Sequence, residues 1–146
     1  MASIPFRLIL STQIHDEMIE HAKSTLPAEC CGIIAGTIDK GVARADRMYK
    51  LINELASPVA YRSEPRSILA AYRDMDRRGL VELAVYHSHP TAPPIPSRTD
   101  LADNFRGESV MHFIVSLRTA SPEVRAWWLG ERDFREAQWT ASAEDV

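Results

Sequence analysis

The sequence predicts a mixed α/β domain of the α+β kind, a β-sheet flanked by helices. Three observations predict it. Apolar runs of strand length, such as Cys31–Ala35 and Leu80–Tyr86, are bounded by glycine, proline and acidic turns. Two longer segments carry apolar residues at helical spacing, with start and stop signals at their ends. These signals are interspersed along the chain rather than segregated.

The elements follow in order. Phe6–Leu10 reads as a short strand, and Ser11 or Thr12 can cap the helix after it. In that helix Ile14, Met18 and Ala22, with Ile19 beside them, form one apolar stripe, and Leu26-Pro27 ends it. His15 and His21 fall on its polar side and are expected in solvent. Cys31–Ala35, closed by Gly36, is a buried strand. Asp39–Gly41 turns the chain into a strand over Val42–Ile52, and a loop follows over Asn53–Pro58. Val59–Arg62 is extended. Pro65 suits the first position of a helix, with Ile68, Leu69, Tyr72 and Met75 facing inward. Arg77-Arg78-Gly79 closes that helix with positive charge on its last turn and a glycine after it. Leu80–Tyr86 is a strand that runs directly into His87. Ser97 opens a short helix to about Phe105. Val110–Leu117 and Val124–Leu129 are strands, and Phe134–Trp139 is the last. Of the adjacent Trp127 and Trp128, one should face the core and the other a surface or homodimer contact.

The chain has 146 residues, which suits one domain, expected over 1–139, with a small acidic tail, disordered over 140–146. At this size roughly 68–70% of the unfolded chain's surface is buried, so no staples are needed. A net charge of -3 makes no electrostatic case for nucleic acid. The only two cysteines, Cys30 and Cys31, are adjacent and cannot close a long loop, which points to a reduced, cytoplasmic protein. The run Phe6–Leu10 is too short for a signal peptide core or a membrane span.

The chemistry gathers in YHSHPTAPPIPSRTD, Tyr86–Asp100. Residues i and i+2 of a strand share a face, so His87 and His89 point one way and Ser88 the other. Two imidazoles at that spacing can grip one ion. Pro90 stops the ladder, and Pro93, Pro94 and Pro96 stiffen the return path. Asp100 is the candidate third ligand, and two histidines with one carboxylate is a pattern zinc accepts while keeping a position for water. Ser97-x-x-Asp100 also has the form of a helix capping box, which competes for the same carboxylate. His112 can support the site or sit as a satisfied core histidine, the second being the commoner case. Cys31, two positions after Glu29, is far more often a small buried hydrophobe than a ligand.

His87-Ser88-His89-Pro90, six residues, Ser97 and Asp100 together resemble the signature H-x-H-P-x6-S-x-x-D of the JAMM (MPN+) zinc metalloproteases, without a gap. Glu29 in PAECCGIIAG fits the family's upstream glutamate. The resemblance implies an MPN/JAMM fold, a curved mixed sheet flanked by helices, cytidine-deaminase-like. It implies one Zn2+ per chain held by His87, His89 and Asp100, with Glu29 as general base and Ser97 donating to the oxyanion. It further implies hydrolysis after the C-terminal Gly-Gly of a ubiquitin-like partner. Tyr61–Gly79 is similar to the helix region of stand-alone bacterial members that act on a small sulfur-carrier protein, in one branch releasing cysteine built on the carrier. On that reading no nucleic acid or membrane is a partner, and Tyr61, Arg62 and Thr91–Ile95 line a groove where the tail adds to a sheet edge. Two alternatives stand beside it: a non-catalytic MPN scaffold, and a RadC-like protein of DNA metabolism.

Overall fold

The computed structural model describes residues 6–143. In chain order the elements are β1 (Arg7–Ser11), α1 (Thr12–Thr25), β2 (Cys31–Asp39), β3 (Val42–Leu51), α2 (Pro65–Arg78), β4 (Val81–His89), α3 (Arg98–Ala102), β5 (Met111–Ser116), β6 (Glu123–Leu129), β7 (Phe134–Glu136) and β8 (Trp139–Ser142). The strands form one mixed sheet in the order β7-β6-β5-β4-β2-β3-β1-β8. The expected α+β architecture, a curved mixed sheet with flanking helices, is the one observed.

The sheet must curl. Flat, seven strand spacings would separate its edges by about 34 Å. Yet β7 and β8, the two edges, are separated in sequence only by Ala137 and Gln138, a span of at most about 11 Å. Ala137 donates its amide to Ala126 on β6, and the carbonyl of Gln138 accepts from Leu8 on β1. The single strand expected over Phe134–Trp139 is therefore two strands on opposite edges. The expected domain limit at 139 is also too early, because Thr140–Ser142 pair in parallel with Ile9–Ser11. Thr12 fastens this end further, its hydroxyl donating to the Ser142 carbonyl. The tail residues 144–146 lie outside the described residues.

Helix α1 starts as its sequence directs: Ser11 caps it by accepting from the Ile14 amide, and Ile14, Met18 and Ala22 are buried against one face of the sheet. Helix α2 covers the other face. Glu64 caps it, Pro65 opens it, and Gly79 ends it in the left-handed region that suits glycine. Its buried stripe is Ala71 and Met75 with Ile68 partly covered. Leu69 and Tyr72 were expected inward and are not: Leu69 is about half exposed, and Tyr72 lies at the rim with its hydroxyl on Glu82. Trp127 and Trp128 are both buried, on opposite faces. Neither is a surface contact, because Phe134 and the carbonyl of Pro94 meet Trp127 and Phe6 meets Trp128. His21, expected in solvent, is partly buried instead. Its Nδ1 lies 2.7 Å from the Tyr86 hydroxyl, and burial, with Lys50 beside it, lowers its pKa to about 4.

Candidate metal centre

The site is built on β4, an interior strand. It pairs antiparallel with β2, with Cys31 opposite His87, and parallel with β5, with His87 opposite Ile114 and His89 opposite Ser116. His87 and His89 share the α2 face of the sheet, as the two-residue period requires. Ser88 points to the other face, where its hydroxyl accepts the Cys30 amide at 2.8 Å, while its own amide reaches the Cys30 carbonyl. That pairing continues the β2–β4 contact one residue before the start of β2, and Glu29 is the residue before it.

Glu29 is 4% exposed, and its Oε1 has no hydrogen-bond partner. Burial pushes its pKa up to about 8, with His89 pulling down and Asp100 pushing up. Its backbone is held on both sides. The amide donates to the Ser57 carbonyl at 2.8 Å, and the carbonyl accepts from Asn53 Nδ2 at 3.0 Å. Asn53 is the hub of this loop. Its Nδ2 also reaches the Ala60 carbonyl, and its Oδ1 accepts the amides of Leu55 and Arg62.

Asp100 does both things that seemed to compete. Its Oδ2 accepts the Ser97 amide at 2.9 Å and Ser97 Oγ accepts the Asp100 amide, a complete capping box on α3. The same carboxylate faces the histidines, Oδ1 at 3.2 Å from His87 Nε2 and Oδ2 at 3.2 Å from His89 Nε2. The cap aims the carboxylate. Because Ser97 Oγ uses a lone pair on Asp100, its own proton is left to donate. Helix α3 is shorter than expected. Asn104 stops it by turning its side chain to the Gly107 and Leu129 carbonyls and the Arg106 amide.

The proline loop is held by its carbonyls. Ser116 Oγ donates to Ala92, His89 Nδ1 to Pro93, and Trp127 Nε1 to Pro94, at 2.6, 2.7 and 2.9 Å. These bonds brace His89 from behind, and Thr91–Ile95 are not among the residues that line the cavity beside it. Tyr61 and Arg62 do line a cavity of about 460 Å³ that opens beside His87 and Asp100. The Tyr61 ring stacks on His87 at 4.8 Å. Strand β4 has a neighbour on each side, and the edges of the sheet are β7 and β8. His112 is not a satisfied core histidine. It is 4% exposed, its Nε2 has no partner, and it lines that cavity. Cys31 is a buried free thiol packed on the α2 side, touched by the Ser63 hydroxyl at 3.5 Å.

The donor set fits a cation. His87, His89 and Asp100 each offer a ligand atom, all within 4.8 Å of one another. The Nδ1–H of His89 is used on Pro93, so in the neutral ring Nε2 presents a lone pair. That lone pair meets His87 Nε2 at 3.1 Å and a carboxylate oxygen at 3.2 Å. His89 Nε2 and the carboxylate oxygens are acceptors that converge with His87 Nε2, on a ring whose Nδ1 is unpartnered; a positive charge between them would satisfy all three groups, and nitrogen, nitrogen and carboxylate oxygen suit zinc. The Pro93 carbonyl on the far nitrogen of His89 is the kind of support that fixes a ligand's tautomer. The same need shows in the protonation tendencies. Burial opposes charge on His89 and Asp100. Their mutual attraction outweighs it, raising His89 and holding Asp100 far below the usual carboxylate range, with His87 contributing most to the latter.

A curled mixed sheet with a His-His-carboxylate centre on an interior strand, and a buried carboxyl at its side, defines a JAB-like domain. Residues 11–130 match the family described as prokaryotic homologs of the JAB domain, and the chain belongs to it. It is similar to the CysO-cysteine peptidase of Mycobacterium tuberculosis, 33% identical over 94 residues, or 64% of this chain and 63% of that protein. It is also similar to the desampylase of Pyrococcus furiosus, 28% identical over 88% of this chain and 86% of that one. A third relative is a probable TtuB-protein conjugate cleaving protease of Thermus thermophilus, 35% identical over 60% of this chain and 57% of the relative. The match thus spans under two thirds of the mycobacterial relative's length. A solution structure of a Desulfitobacterium hafniense protein superposes with a TM-score of 0.86, at 30% identity over 94% of both chains.

Proposed function

We propose that the chain is a zinc-dependent peptidase or isopeptidase. It would cut the bond after the C-terminal Gly-Gly of a small ubiquitin-like sulfur carrier, for example freeing cysteine from a carrier–cysteine adduct. The observation that carries this reading is the convergence of His87, His89 and Asp100 beside a buried, unpartnered Glu29 carboxyl. The names of the relatives support the substrate class, since they describe a CysO-cysteine peptidase and a protease of TtuB-protein conjugates.

His87, His89 and Asp100 would hold the zinc. The chemistry zinc supplies when bound is Lewis acidity toward a carbonyl and toward water. A cation at those ligands also favours the ionised form of Glu29, moving it from about 8 toward a working base. Glu29 accepts the proton of the attacking water as the new O–C bond forms. Ser97 gives its free hydroxyl proton to the oxygen that gains charge, as a hydrogen bond. The C–N bond then breaks, and Glu29 returns the proton to the leaving amine. Asn53 and Ser57 keep the Glu29 backbone still through both transfers.

The test is zinc content per chain together with cleavage of a Gly-Gly-tailed carrier fused to cysteine, on wild type and His89→Ala. About one zinc per wild-type chain is expected, with zinc and cleavage both lost in the variant. A wild-type protein that takes up no zinc after refolding with excess metal would overturn the reading.

A further inference from the structure

The cavity beside His87 and Asp100 has a volume of about 460 Å³ and apolar walls from Leu55, Tyr61 and Ile68. Beyond the metal-site pair its wall carries further polar groups, Arg62 and the Asp103 carboxylate among them, and two others, His112 and Arg106, each keep a nitrogen with no hydrogen bond to the described residues. The first is His112, fixed on β5 opposite Val85, with its Nε2 buried and unpartnered. Burial, then the charges of His87 and Arg106, lower its pKa to about 3, so the ring is neutral and its Nε2–H tautomer can donate. The second is Arg106, whose side chain is 15% exposed. Its Nε and Nη2 are bound by Glu82 at 3.0 and 3.4 Å, and Nη2 also by the Tyr72 hydroxyl at 3.3 Å. That leaves Nη1 as the guanidinium nitrogen with no hydrogen bond to the described residues.

A Gly-Gly tail has no side chain with which to fill such a space. The cavity suits the residue on the other side of the scissile bond. A protein-linked lysine would bring only methylenes there, which would leave His112 Nε2 unpaired at a cost while Arg106 kept Glu82 and Tyr72. A single amino acid would bring a carboxylate.

We propose that this cavity binds the leaving residue, and that Arg106 and His112 receive its free α-carboxylate. The inference rests on the hydrolase reading above and narrows its substrate to conjugates that end in one amino acid.

The experiment has two arms. In the first, the zinc-loaded protein is given a Gly-Gly carrier extended by one alanine, as the free acid or as the carboxamide. Wild type should favour the acid by roughly tenfold to a hundredfold in kcat/KM, as for a charge-assisted hydrogen bond. That ratio should fall to near one in Arg106→Gln/Glu82→Gln, a double variant that leaves no lone buried charge. In the second arm, free alanine and alaninamide are titrated onto zinc-loaded and zinc-free protein, following the imidazole signals of His112. Alanine alone should shift them, and the double variant should need at least tenfold more. Equal cleavage of acid and amide, or equal alanine binding by wild type and double variant, overturns the proposal while leaving the hydrolase reading intact. If no conjugate is cut yet alanine still binds at His112 through Arg106, the hydrolase reading fails and the carboxylate site stands.

Discussion

Replacing Asn53 by alanine tests how the structure holds Glu29. The side chain makes four hydrogen bonds. Two, from Nδ2 to the carbonyls of Glu29 and Ala60 at 3.0 Å, are part-buried. Two, from the amides of Leu55 and Arg62 to Oδ1 at 3.1 Å, lie at exposed positions where water can take over. Only the first pair should count fully, at about 1 kcal/mol each, with the second adding little. Asn53→Ala should therefore cost about 2–3 kcal/mol in urea denaturation at unchanged m-value. Asn53→Asp separates the two pairs. It keeps the acceptor and loses both donors, and it sets a negative charge against two carbonyl oxygens. It should cost at least as much as alanine. A loss below about 0.5 kcal/mol in either variant would refute the claim that Asn53 clamps the Glu29 backbone.

Two further outcomes follow from the same geometry. Trp127→Phe keeps most of the buried ring but loses the Nε1 bond to Pro94; it should cost about 1–2 kcal/mol, and a cost under about 0.3 kcal/mol would show that water serves that carbonyl equally well. His21 has a folded pKa near 4, below its unfolded value, so the stability it contributes is full above about pH 6.5 and lost as pH falls through 4. Between pH 7 and pH 4 the advantage of wild type over His21→Gln should therefore shrink, by about 1–2 kcal/mol once solvent screening of a partly exposed ring is allowed for; a difference that stays constant across that range would refute the assignment.

The parts of the fold that were legible in the sequence are those encoded locally. Ser11, Pro65 and Gly79 mark helix ends through contacts within a turn, and the strand into His87 shows as an apolar run. The grouping of His87, His89 and Asp100 was legible from the strand period and the resemblance to a known signature, whereas the helix cap looked like a competitor for the carboxylate and instead aims it. What was hidden depends on distant partners. The Phe134–Trp139 segment looks like one strand, and only the curl of the whole sheet splits it between two edges. Leu69 looks inward by spacing, yet α2 buries a narrower stripe than the pattern allows. Asn53 looks like any loop asparagine until the chain returns to Glu29. His21 looks solvated until Tyr86, 65 residues away, reaches it. Trp127 looks like half of a tryptophan pair until the proline loop needs a donor for its carbonyl.

The seam at Ala137 and Gln138 has a consequence for synthesis. A chain that emerges from its N-terminus delivers β1 first and β8 last among the described strands. Strand β4, which bears both histidines, has its neighbours β2 and β5 once residue 116 is out. One flank of β1 has no partner until residues 139–142 follow. At about 5–20 residues per second, the histidine-bearing centre of the sheet is available for a second or more before its outer ring can close. His87, His89 and Asp100 are thus all out, with both neighbours of β4, while β1 still waits for its last neighbour.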